Sequence, residues 1–307
     1  MGKTGFLFAG QGSQYVGMGK DLYEAFPQSR QVFDTACEVL GSDLKQLMFE
    51  GPEDQLKLTV HAQPAIVTAS IAAYEAFKAA SGIVPVYAAG LSLGEYSALI
   101  ASGVFTFADG IKLIQQRGQI MDEVARMHPG AMAAVLDLPV EKITQICQAT
   151  GAEIANLNCP GQTVITGKAE AVDLASQQCS QAGAKKVIKL AVSGGFHSSL
   201  MLEASVRLKA VLDTITFHAP GYPVISNYTA KPQVTEAQIK ENLVKQIHSS
   251  VRWEESVRLM LAQGVAVFYE FGPGKVLKGL MRKTDAQAQV TVIEKKEDIQ
   301  QAKAGSL

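Results

Sequence analysis

The segment Gly90–Gly94 holds the residue of this 307-residue chain that is best suited to nucleophilic chemistry. It reads Gly-Leu-Ser-Leu-Gly and fits the pattern G-x-S-x-G, with Ser92 between a predicted strand and a predicted helix. A serine on so tight a turn adopts a strained backbone, so residues two positions away must lack bulk. Free N–H groups at the helix N-terminus can then hold an oxyanion. The pattern predicts an acyl-accepting serine; the alternative is an ordinary Gly/Ser turn.

A serine needs a base to react near neutral pH, and His197 has the most suitable position among the five histidines of the chain. It follows a predicted strand and the glycines Gly194 and Gly195, and it precedes a predicted helix that begins at Leu200. We expect the glycines to let the backbone turn sharply and to place the ring at a sheet edge, where functional sites collect. Because a single histidine is more often structural than catalytic, this prediction depends on Ser92.

Arg117 stands where an apolar residue is expected. Residues Asp109–Met121 predict a helix, and its apolar stripe comprises Ile111, Leu113, Ile114, Ile120 and Met121. Arg117 falls near the middle of that stripe, and a buried guanidinium is costly without an anionic partner. Two interpretations stay open. One is a structural ion pair or a snorkelling side chain; the other is a clamp for a ligand carboxylate, which the planar guanidinium suits.

Short apolar runs alternate with amphipathic stretches along the chain. The clearest runs are Gly5–Ala9, Val84–Ala89 and Val265–Phe271, and each predicts a strand. The stretch Glu95–Ala101 predicts a helix directly after the serine turn. This alternation predicts an α/β fold with a mostly parallel sheet.

The segment from residue 128 to residue 192 has a pattern of its own. Its predicted elements follow the order β-α-β-β-α-β, which is typical of a ferredoxin-like unit. The strands are Ala131–Leu136, Glu153–Asn158, Thr163–Thr166 and Lys186–Val192, and the helices are Val140–Ala149 and Ala171–Gln181. We therefore predict a large catalytic body, residues 1–127 and 193–307, and a small inserted subdomain, residues 128–192.

The composition argues against several classes of protein. The 28 Lys and Arg against 29 Asp and Glu give a net charge of −1, without the basic excess that a nucleic-acid-binding protein usually carries. No C-x-x-C pair occurs among the four cysteines, so we expect no metal site and no disulfide framework. Glu95 interrupts the apolar run Leu91–Phe107, so we expect no membrane span there and a cytoplasmic location.

Eight short motifs extend this picture over nearly the whole chain. They are FLFAGQGSQ (Phe6–Gln14), QPA (Gln63–Ala65), GLSLGEYSAL (Gly90–Leu99), QRG (Gln116–Gly118), NLNCPGQ (Asn156–Gln162), SGGFHSSLM (Ser193–Met201), VRW (Val251–Trp253) and GPGKVL (Gly272–Leu277). In this order they resemble the malonyl-CoA:acyl-carrier-protein transacylases of type II fatty acid synthesis. The resemblance implies an α/β-hydrolase-like body with a mostly parallel sheet and an inserted ferredoxin-like subdomain.

The resemblance also implies a reaction through a malonyl-serine intermediate. Ser92 would carry the malonyl group, and His197 would act as the base and then as the acid for the departing thiol. The backbone N–H groups of Gln11 and Leu93 would form the oxyanion hole. The main-chain carbonyl of Gln246 would orient His197 in place of an Asp. For that reason we expect Gln246→Ala to cost much less activity than His197→Ala.

Three further positions match substrate-contacting residues of the family. Arg117 would hold the malonyl carboxylate, Phe196 would limit the room beside the acyl α-carbon, and Asn158 would line the coenzyme A entrance. Malonyl-CoA would be the substrate, coenzyme A the product and acyl carrier protein a transient partner, with no tightly bound cofactor. Because carrier proteins of this pathway are acidic, we expect docking on positive surface, with candidates Lys185, Lys186, Lys189 and the stretch Lys278–Lys283.

Two positions depart from the usual family pattern. Leu91 stands where many members have histidine, and Gly195 where many have proline, so we expect a looser His197 loop. Three alternatives to the transacylase remain. A serine thioesterase or esterase would share Ser92 and His197 but gives no reason for a buried Arg117. A free-standing acyltransferase that loads a polyketide synthase carrier protein and a non-enzymatic scaffold that docks carrier protein are the others.

Overall fold

A computed structural model describes residues 2–192 and 194–303, so Ser193 of the SGGFHSSLM motif lies outside the described residues. The strands in this part of the chain are β1 Lys3–Phe8, β2 Tyr87–Gly90, β3 Gly130–Leu136, β4 Glu153–Cys159, β5 Gln162–Lys168, β6 Lys186–Lys189, β7 Val224–Ile225, β8 Pro232–Gln233, β9 Val265–Phe271 and β10 Gln289–Ile293.

The helices between the strands are α1 Lys20–Ala25, α2 Pro27–Leu40, α3 Leu44–Glu50, α4 Glu53–Lys57, α5 Thr59–Ser81, α6 Leu93–Ala101, α7 Phe107–Met127, α8 Val140–Thr150, α9 Ala169–Gln181, α10 Leu202–Leu212, α11 Glu236–Gln246, α12 Trp253–Ala262, α13 Val276–Thr284 and α14 Lys296–Lys303. A short 3₁₀ turn at Ser199–Met201 precedes α10. None of these helices is both long and apolar enough to cross a membrane.

The main sheet has six strands in the order β10-β9-β1-β2-β7-β8. All neighbours in it are parallel except β7 and β8, which confirms the prediction of a mostly parallel sheet. Strand β2 begins at Tyr87, three residues later than predicted, in a stretch where Pro85 has no N–H to contribute to a strand pair. Strand β9 spans the predicted residues.

Helices pack on both faces of the main sheet because its strands are apolar on both sides. Along β1, Phe6 and Phe8 belong to the larger core cluster, which also contains side chains of α5 and α7. Leu7, between them, points to a second cluster that contains Trp253 of α12 and Leu280 of α13. The alternation of neighbouring residues between two clusters gives a three-layer α/β/α arrangement.

The small sheet has four antiparallel strands in the order β4-β5-β3-β6. With α8 and α9 its elements follow the predicted order β-α-β-β-α-β, and the strand order is that of a ferredoxin-like unit. Strand β6 ends at Lys189, so the predicted extension to Val192 is wrong.

The second face of the small sheet packs against the larger part of the chain. Ala133 and Val135 of β3 face α8 and α9, whereas Met132 and Ala134 belong to the core cluster of the main sheet. A backbone bridge at Val251 joins β4 to the larger part as well. Because the two sheets share this core, the division into residues 128–192 and the remainder stays a prediction.

Candidate active site

Ser92 lies on the turn between β2 and α6, at the carboxyl edge of the main sheet. Its backbone has φ 51° and ψ −101°, a left-handed conformation that costs a non-glycine residue free energy. A Cβ atom at Gly90 would lie 1.9 Å from the carbonyl carbon of Gly94, and one at Gly94 would lie 2.1 Å from the carbonyl oxygen of Phe8. Both flanking glycines are therefore required by close backbone contacts.

Asn227 holds this turn from the neighbouring strand. The Ser92 backbone N–H donates to Asn227 Oδ1 (2.6 Å), and Asn227 Nδ2 donates to the Gly90 carbonyl (2.8 Å). Asn227 is fully buried and lies two residues after β7. Sequence reasoning missed Asn227, because Ser92 and Asn227 are 135 residues apart along the chain and such a contact leaves no local sequence pattern.

The structure brings Ser92 and His197 into hydrogen-bond contact. Ser92 Oγ lies 2.8 Å from His197 Nε2, and His197 Nδ1 lies 2.9 Å from the carbonyl oxygen of Gln246. A carbonyl only accepts, so Nδ1 carries the proton and Nε2 has the lone pair that accepts from the serine hydroxyl. This is the geometry of a nucleophile and its base, with a main-chain carbonyl in the orienting position.

The loop that carries His197 is held by close packing. His197 itself has φ 58°, so the sharp turn lies at the histidine. A Cβ atom at Gly195 would lie 2.9 Å from the carbonyl oxygen of Gly167, and one at Gly194 would lie 2.6 Å from Cβ of Ala125. The chain bends at Gly194, but the left-handed residue of the turn is the histidine and not a glycine. The two glycines let the loop approach β5 and α7, and Gly195 is buried in that contact.

Burial keeps His197 in its neutral, basic form. The side chain is 5% exposed, and this burial is the main reason why its pKa falls from 6.5 to about 4. The positive charge of Arg117 lowers the pKa further, whereas the hydrogen bond to the Gln246 carbonyl raises it. The imidazole is therefore unprotonated near neutral pH and available to take a proton.

Arg117 is 1% exposed, as its place on the apolar stripe of α7 predicts. Its Nη1 donates to Gln63 Oε1 (2.6 Å), its Nη2 lies 3.4 Å from Gln246 Oε1, and its guanidinium stacks on the Tyr96 ring at 4.9 Å. These partners are neutral, and no ion pair within residues 2–192 and 194–303 includes Arg117. The Nε–H also has no partner there. Because none of its hydrogen-bond partners is charged, this buried cation can bind an anion.

The side chain of Gln246 does more than sequence reasoning predicted. Its Nε2 donates to the Ser92 carbonyl (3.0 Å) and to Glu95 Oε2 (2.8 Å), and its Oε1 faces Arg117. The premise that only its main-chain carbonyl matters is therefore wrong. The side chain ties the turn of Ser92 to Arg117 while the carbonyl holds His197.

The residues predicted for the oxyanion hole flank the Ser92 turn. Gln11 lies on the loop after β1, where a Cβ atom at Gly10 would meet the Leu91 carbonyl at 2.6 Å, and Leu93 is the first residue of α6. Within the part of the chain that the structure describes, the backbone N–H groups of Gln11 and Leu93 donate no hydrogen bond. Both are therefore free donors beside the turn.

Phe196 and Asn158 are both nearly buried. Phe196 is 5% exposed and belongs to the larger core cluster, and its carbonyl accepts from Thr166 Oγ1 (2.8 Å). Asn158 is 8% exposed near the end of β4, and its Oδ1 has no partner among the described residues. Their contacts with substrate stay predictions. No cluster of three or more His, Cys, Asp or Glu in the described ranges is arranged to hold a metal ion.

Comparison with known proteins gives one consistent family. The model of the acyl transferase domain matches residues 5–304. The chain is 47% identical over 307 residues to the malonyl CoA-acyl carrier protein transacylase of Bacillus subtilis strain 168, covering 98% of this chain and 96% of the relative. It is 42% identical over 287 residues to that of Escherichia coli K12, covering 92% and 93%.

Solved structures share the fold as well. A malonyl-transacylase in complex with its type II polyketide synthase acyl carrier protein matches this chain with a TM-score of 0.96 and 38% sequence identity. The match covers 99% of both chains.

The depressed pKa of His197 predicts a direct titration result. In a pH titration followed by NMR, the imidazole of His197, assigned with His197→Ala, should protonate near pH 4. Lowering the pH from 7 to 5 should therefore leave the imidazole unprotonated, so that the proposed base keeps its active form. Arg117→Ala should raise the pKa by removing a nearby positive charge. Protonation near the ordinary value of 6.5 would show that burial does not control this group.

The side-chain contacts of Gln246 predict that Gln246→Ala slows acylation of Ser92. Losing one partner of a buried polar group costs about 1–3 kcal/mol, which corresponds to a roughly 5- to 150-fold lower rate. Gln238→Ala, an exposed glutamine on the same helix α11, is the matched control and should have no effect. Stopped-flow release of coenzyme A measures both. Equal rates in the two variants would contradict the role of the side chain.

Proposed function

This chain belongs to the acyl transferase family, among the malonyl-CoA:acyl-carrier-protein transacylases, and on that premise we propose that it moves malonyl groups from coenzyme A to an acyl carrier protein through malonyl-Ser92. The observation that carries the proposal is the 2.8 Å contact between Ser92 Oγ and His197 Nε2, with the buried cation Arg117 beside the same site. The Ser92–His197 pair provides the acyl acceptor and its base, and Arg117 selects the acyl group.

The first half of the reaction acylates the enzyme. The hydroxyl proton of Ser92 moves to His197 Nε2 as Oγ attacks the thioester carbonyl of malonyl-CoA. The backbone N–H groups of Gln11 and Leu93 stabilise the oxyanion. The carbon–sulfur bond then breaks, His197 gives its proton to the departing thiolate, and coenzyme A leaves.

The second half uses the same groups in reverse. The phosphopantetheine thiol of the carrier protein loses its proton to His197 while its sulfur attacks the malonyl-Ser92 ester. The carbon–oxygen bond breaks, and Ser92 regains the proton. Every step is a proton or acyl transfer, and coenzyme A enters and leaves as part of the substrate, so these residues suffice for the chemistry.

Arg117 favours a malonyl transferase over a serine thioesterase or esterase. A hydrolase with the same serine and histidine has no need for a buried cation whose partners are neutral amides. A malonyl thioester supplies the missing carboxylate, and a planar guanidinium binds it through two parallel hydrogen bonds. The malonyl product feeds fatty acid synthesis. The likeness to a malonyl-transacylase bound to a polyketide synthase carrier protein makes such a carrier the second candidate acceptor.

Helix α13 carries the positive surface that suits an acidic carrier protein. Its exposed cations are in none of the ion pairs within the described ranges; they are Lys278, Arg282 and Lys283, with Lys275 directly before the helix. Lys283 lies close enough to Cys159 for its positive charge to act on the pKa of that thiol, although burial raises this pKa overall. Cys159 is next to Asn158, at the proposed entrance. Of the other predicted lysines, Lys185 and Lys189 already pair with acids. Lys186 is exposed and stands alone between them. We place carrier docking on α13. The cytoplasmic location remains a prediction.

Malonyl-CoA alone should add one malonyl mass to the protein, on the peptide that contains Ser92. Intact-mass and peptide mass spectrometry measure this, and Ser92→Ala should abolish it. His197→Ala should acylate far more slowly, with the oxyanion donors leaving residual activity. A label that persists in Ser92→Ala would exclude the serine intermediate. Hydrolysis of malonyl-CoA faster than transfer to a thiol would favour the thioesterase.

Arg117→Ala should lower kcat/KM for malonyl-CoA strongly and leave that for acetyl-CoA equal or higher. Loss of a buried charge partner costs about 2–5 kcal/mol, or roughly thirty- to several-thousand-fold. Arg117→Lys should recover only part, because an ammonium cannot reproduce the guanidinium fork. The wild type should also prefer malonyl-CoA to methylmalonyl-CoA, because Phe196 limits the room beside the α-carbon.

The matched control for this experiment is Arg126→Ala. Arg126 lies on the same helix α7 but is exposed and paired with Asp122. Its loss should leave the malonyl-to-acetyl ratio unchanged. If Arg117→Ala instead reduces malonyl and acetyl transfer by the same factor, the side chain is structural and the selectivity has another source.

Charge reversal on α13 should slow transfer to the carrier protein and leave acylation by malonyl-CoA unchanged. Lys278→Glu and Arg282→Glu should each reduce the rate of transfer to the carrier protein about 3- to 10-fold at low salt. The difference between variant and wild-type rates should become smaller as added salt screens the charges. Lys112→Glu, an exposed lysine on α7 without an ion pair in the described ranges, is the control. Transfer to a small soluble thiol should not change. Insensitivity of carrier transfer to salt and to both substitutions would contradict docking on α13.

A further inference from the structure

Glu95 is a fully buried carboxylate that the transfer chemistry does not use. It lies on α6, three residues after Ser92, and is 0% exposed. Its Oε2 accepts from the Asn227 backbone N–H (3.0 Å) and from Gln246 Nε2 (2.8 Å), and its Oε1 accepts from Gln233 Nε2 (2.7 Å). A buried carboxylate is costly unless hydrogen bonds satisfy it, so three donors converge here for a physical reason.

Two of these donors belong to the residues that hold the proposed catalytic pair. Asn227 binds the Ser92 turn on both sides, through the Ser92 N–H and the Gly90 carbonyl. Gln246 accepts from His197 Nδ1 through its carbonyl. One carboxylate therefore anchors the support of the nucleophile and the support of the base, although it contacts neither reacting atom.

The outer part of the network fixes the direction of each hydrogen bond. Asn242 Nδ2 donates to Gln233 Oε1 (2.9 Å), and Gln233 Nε2 in turn donates to Glu95. An acceptor with two oxygens satisfies every donor in this arrangement. A glutamine at position 95 would turn an N–H toward the Gln233 N–H, and relief would require Gln233 and Asn242 to reverse their amides.

The catalytic pair needs such support because both members are strained. Ser92 and His197 have φ values of 51° and 58°, which non-glycine residues adopt only when the surrounding structure imposes them. Burial raises the pKa of Glu95 to about 7, and the three donors and Arg117 act against this rise. The hydrogen bonds thus favour the charged carboxylate that they require.

We infer that Glu95 is a positioning residue for acyl transfer, which holds Asn227 and Gln246 so that Ser92 and His197 stay in contact. The inference rests on the proposed transacylase function and adds a residue to it. Glu95 acts mainly on the maximal rate of acylation, because its hydrogen bonds hold the residues that support Ser92 and His197, whereas it affects Arg117 only through its charge and through Gln246.

The test uses the full-length protein and single-turnover acylation by malonyl-CoA over a range of concentrations, which separates the maximal rate from the half-saturating concentration. Glu95→Ala removes the acceptor. Glu95→Gln keeps the side-chain volume but places an amide N–H opposite the Gln233 N–H, so that this hydrogen bond is lost. Combining Glu95→Gln with Gln233→Glu restores all four hydrogen bonds, because the amide at 95 then donates to the new carboxylate, which still accepts from Asn242.

Glu95→Ala should reduce the maximal acylation rate roughly 100-fold and Glu95→Gln about 10-fold, while the half-saturating concentration changes less than about threefold. The double variant should return to within about threefold of the wild-type rate. The control is Glu270→Gln. Glu270 is an equally buried carboxylate that accepts from the backbone of Leu277 and Lys278, far along the sequence from both catalytic residues, and its variant should acylate normally.

Several results would overturn the inference. The first is a wild-type acylation rate in Glu95→Gln. The second is a double variant that acylates no faster than Glu95→Gln. The third is a loss of acylation rate in Glu270→Gln as large as that in Glu95→Gln. If Glu95→Ala does not fold, the two volume-conserving variants decide alone. Failure of the wild type to form malonyl-Ser92 would instead reject the proposed function, so the two failures are distinguishable.

Discussion

Helix α11 ends at Gln246, and the site depends on the main-chain carbonyl that this ending makes available. The last carbonyls of a helix have no partner within the helix, and they lie at its partially negative end. The Gln246 carbonyl, which also has a long contact from the Ser249 backbone N–H (3.5 Å), accepts from His197 Nδ1 at 2.9 Å. In the proposed reaction it would favour the imidazolium that forms as Ser92 loses its proton. A helix terminus here takes the place that a carboxylate has in a Ser-His-Asp triad.

A neutral orienting group has a consequence for Arg117. A carboxylate bound to His197 would lie close enough to the guanidinium to weaken its attraction for a substrate anion. The carbonyl of Gln246 orients the histidine without adding a second negative charge to that of Glu95, which already interacts with Arg117. The hydrogen-bond partners of Arg117 are the neutral amides of Gln63 and Gln246. The base is oriented and the cation stays available, which a site for a charged acyl group requires.

The sequence predicted the parts of this site that leave local patterns. The G-x-S-x-G spacing predicted the Ser92 turn, and helical periodicity predicted that Arg117 is buried. The same signal was present at Glu95, a charged residue in the apolar helix α6, but it served only to argue against a membrane span. Asn227 and the Gln246 side chain could not be predicted, since their partners lie 135 and 154 residues away along the chain. Such contacts depend on tertiary packing, which no local pattern encodes.

The polar network separates a rigid part of the site from an adjustable one. Gln246 Nε2 is held at 3.0 Å by the Ser92 carbonyl and at 2.8 Å by Glu95, whereas its Oε1 lies 3.4 Å from Arg117. The last contact is the longest and weakest of the three. In the proposed reaction, a substrate carboxylate would bind the Arg117 Nη2 group in place of Gln246 Oε1, while the Gln246 amide keeps both of its other hydrogen bonds. Because His197 is bound by the main-chain carbonyl, the proposed exchange at Arg117 would leave the base in place, and acyl selection would proceed without loss of the Ser92–His197 contact.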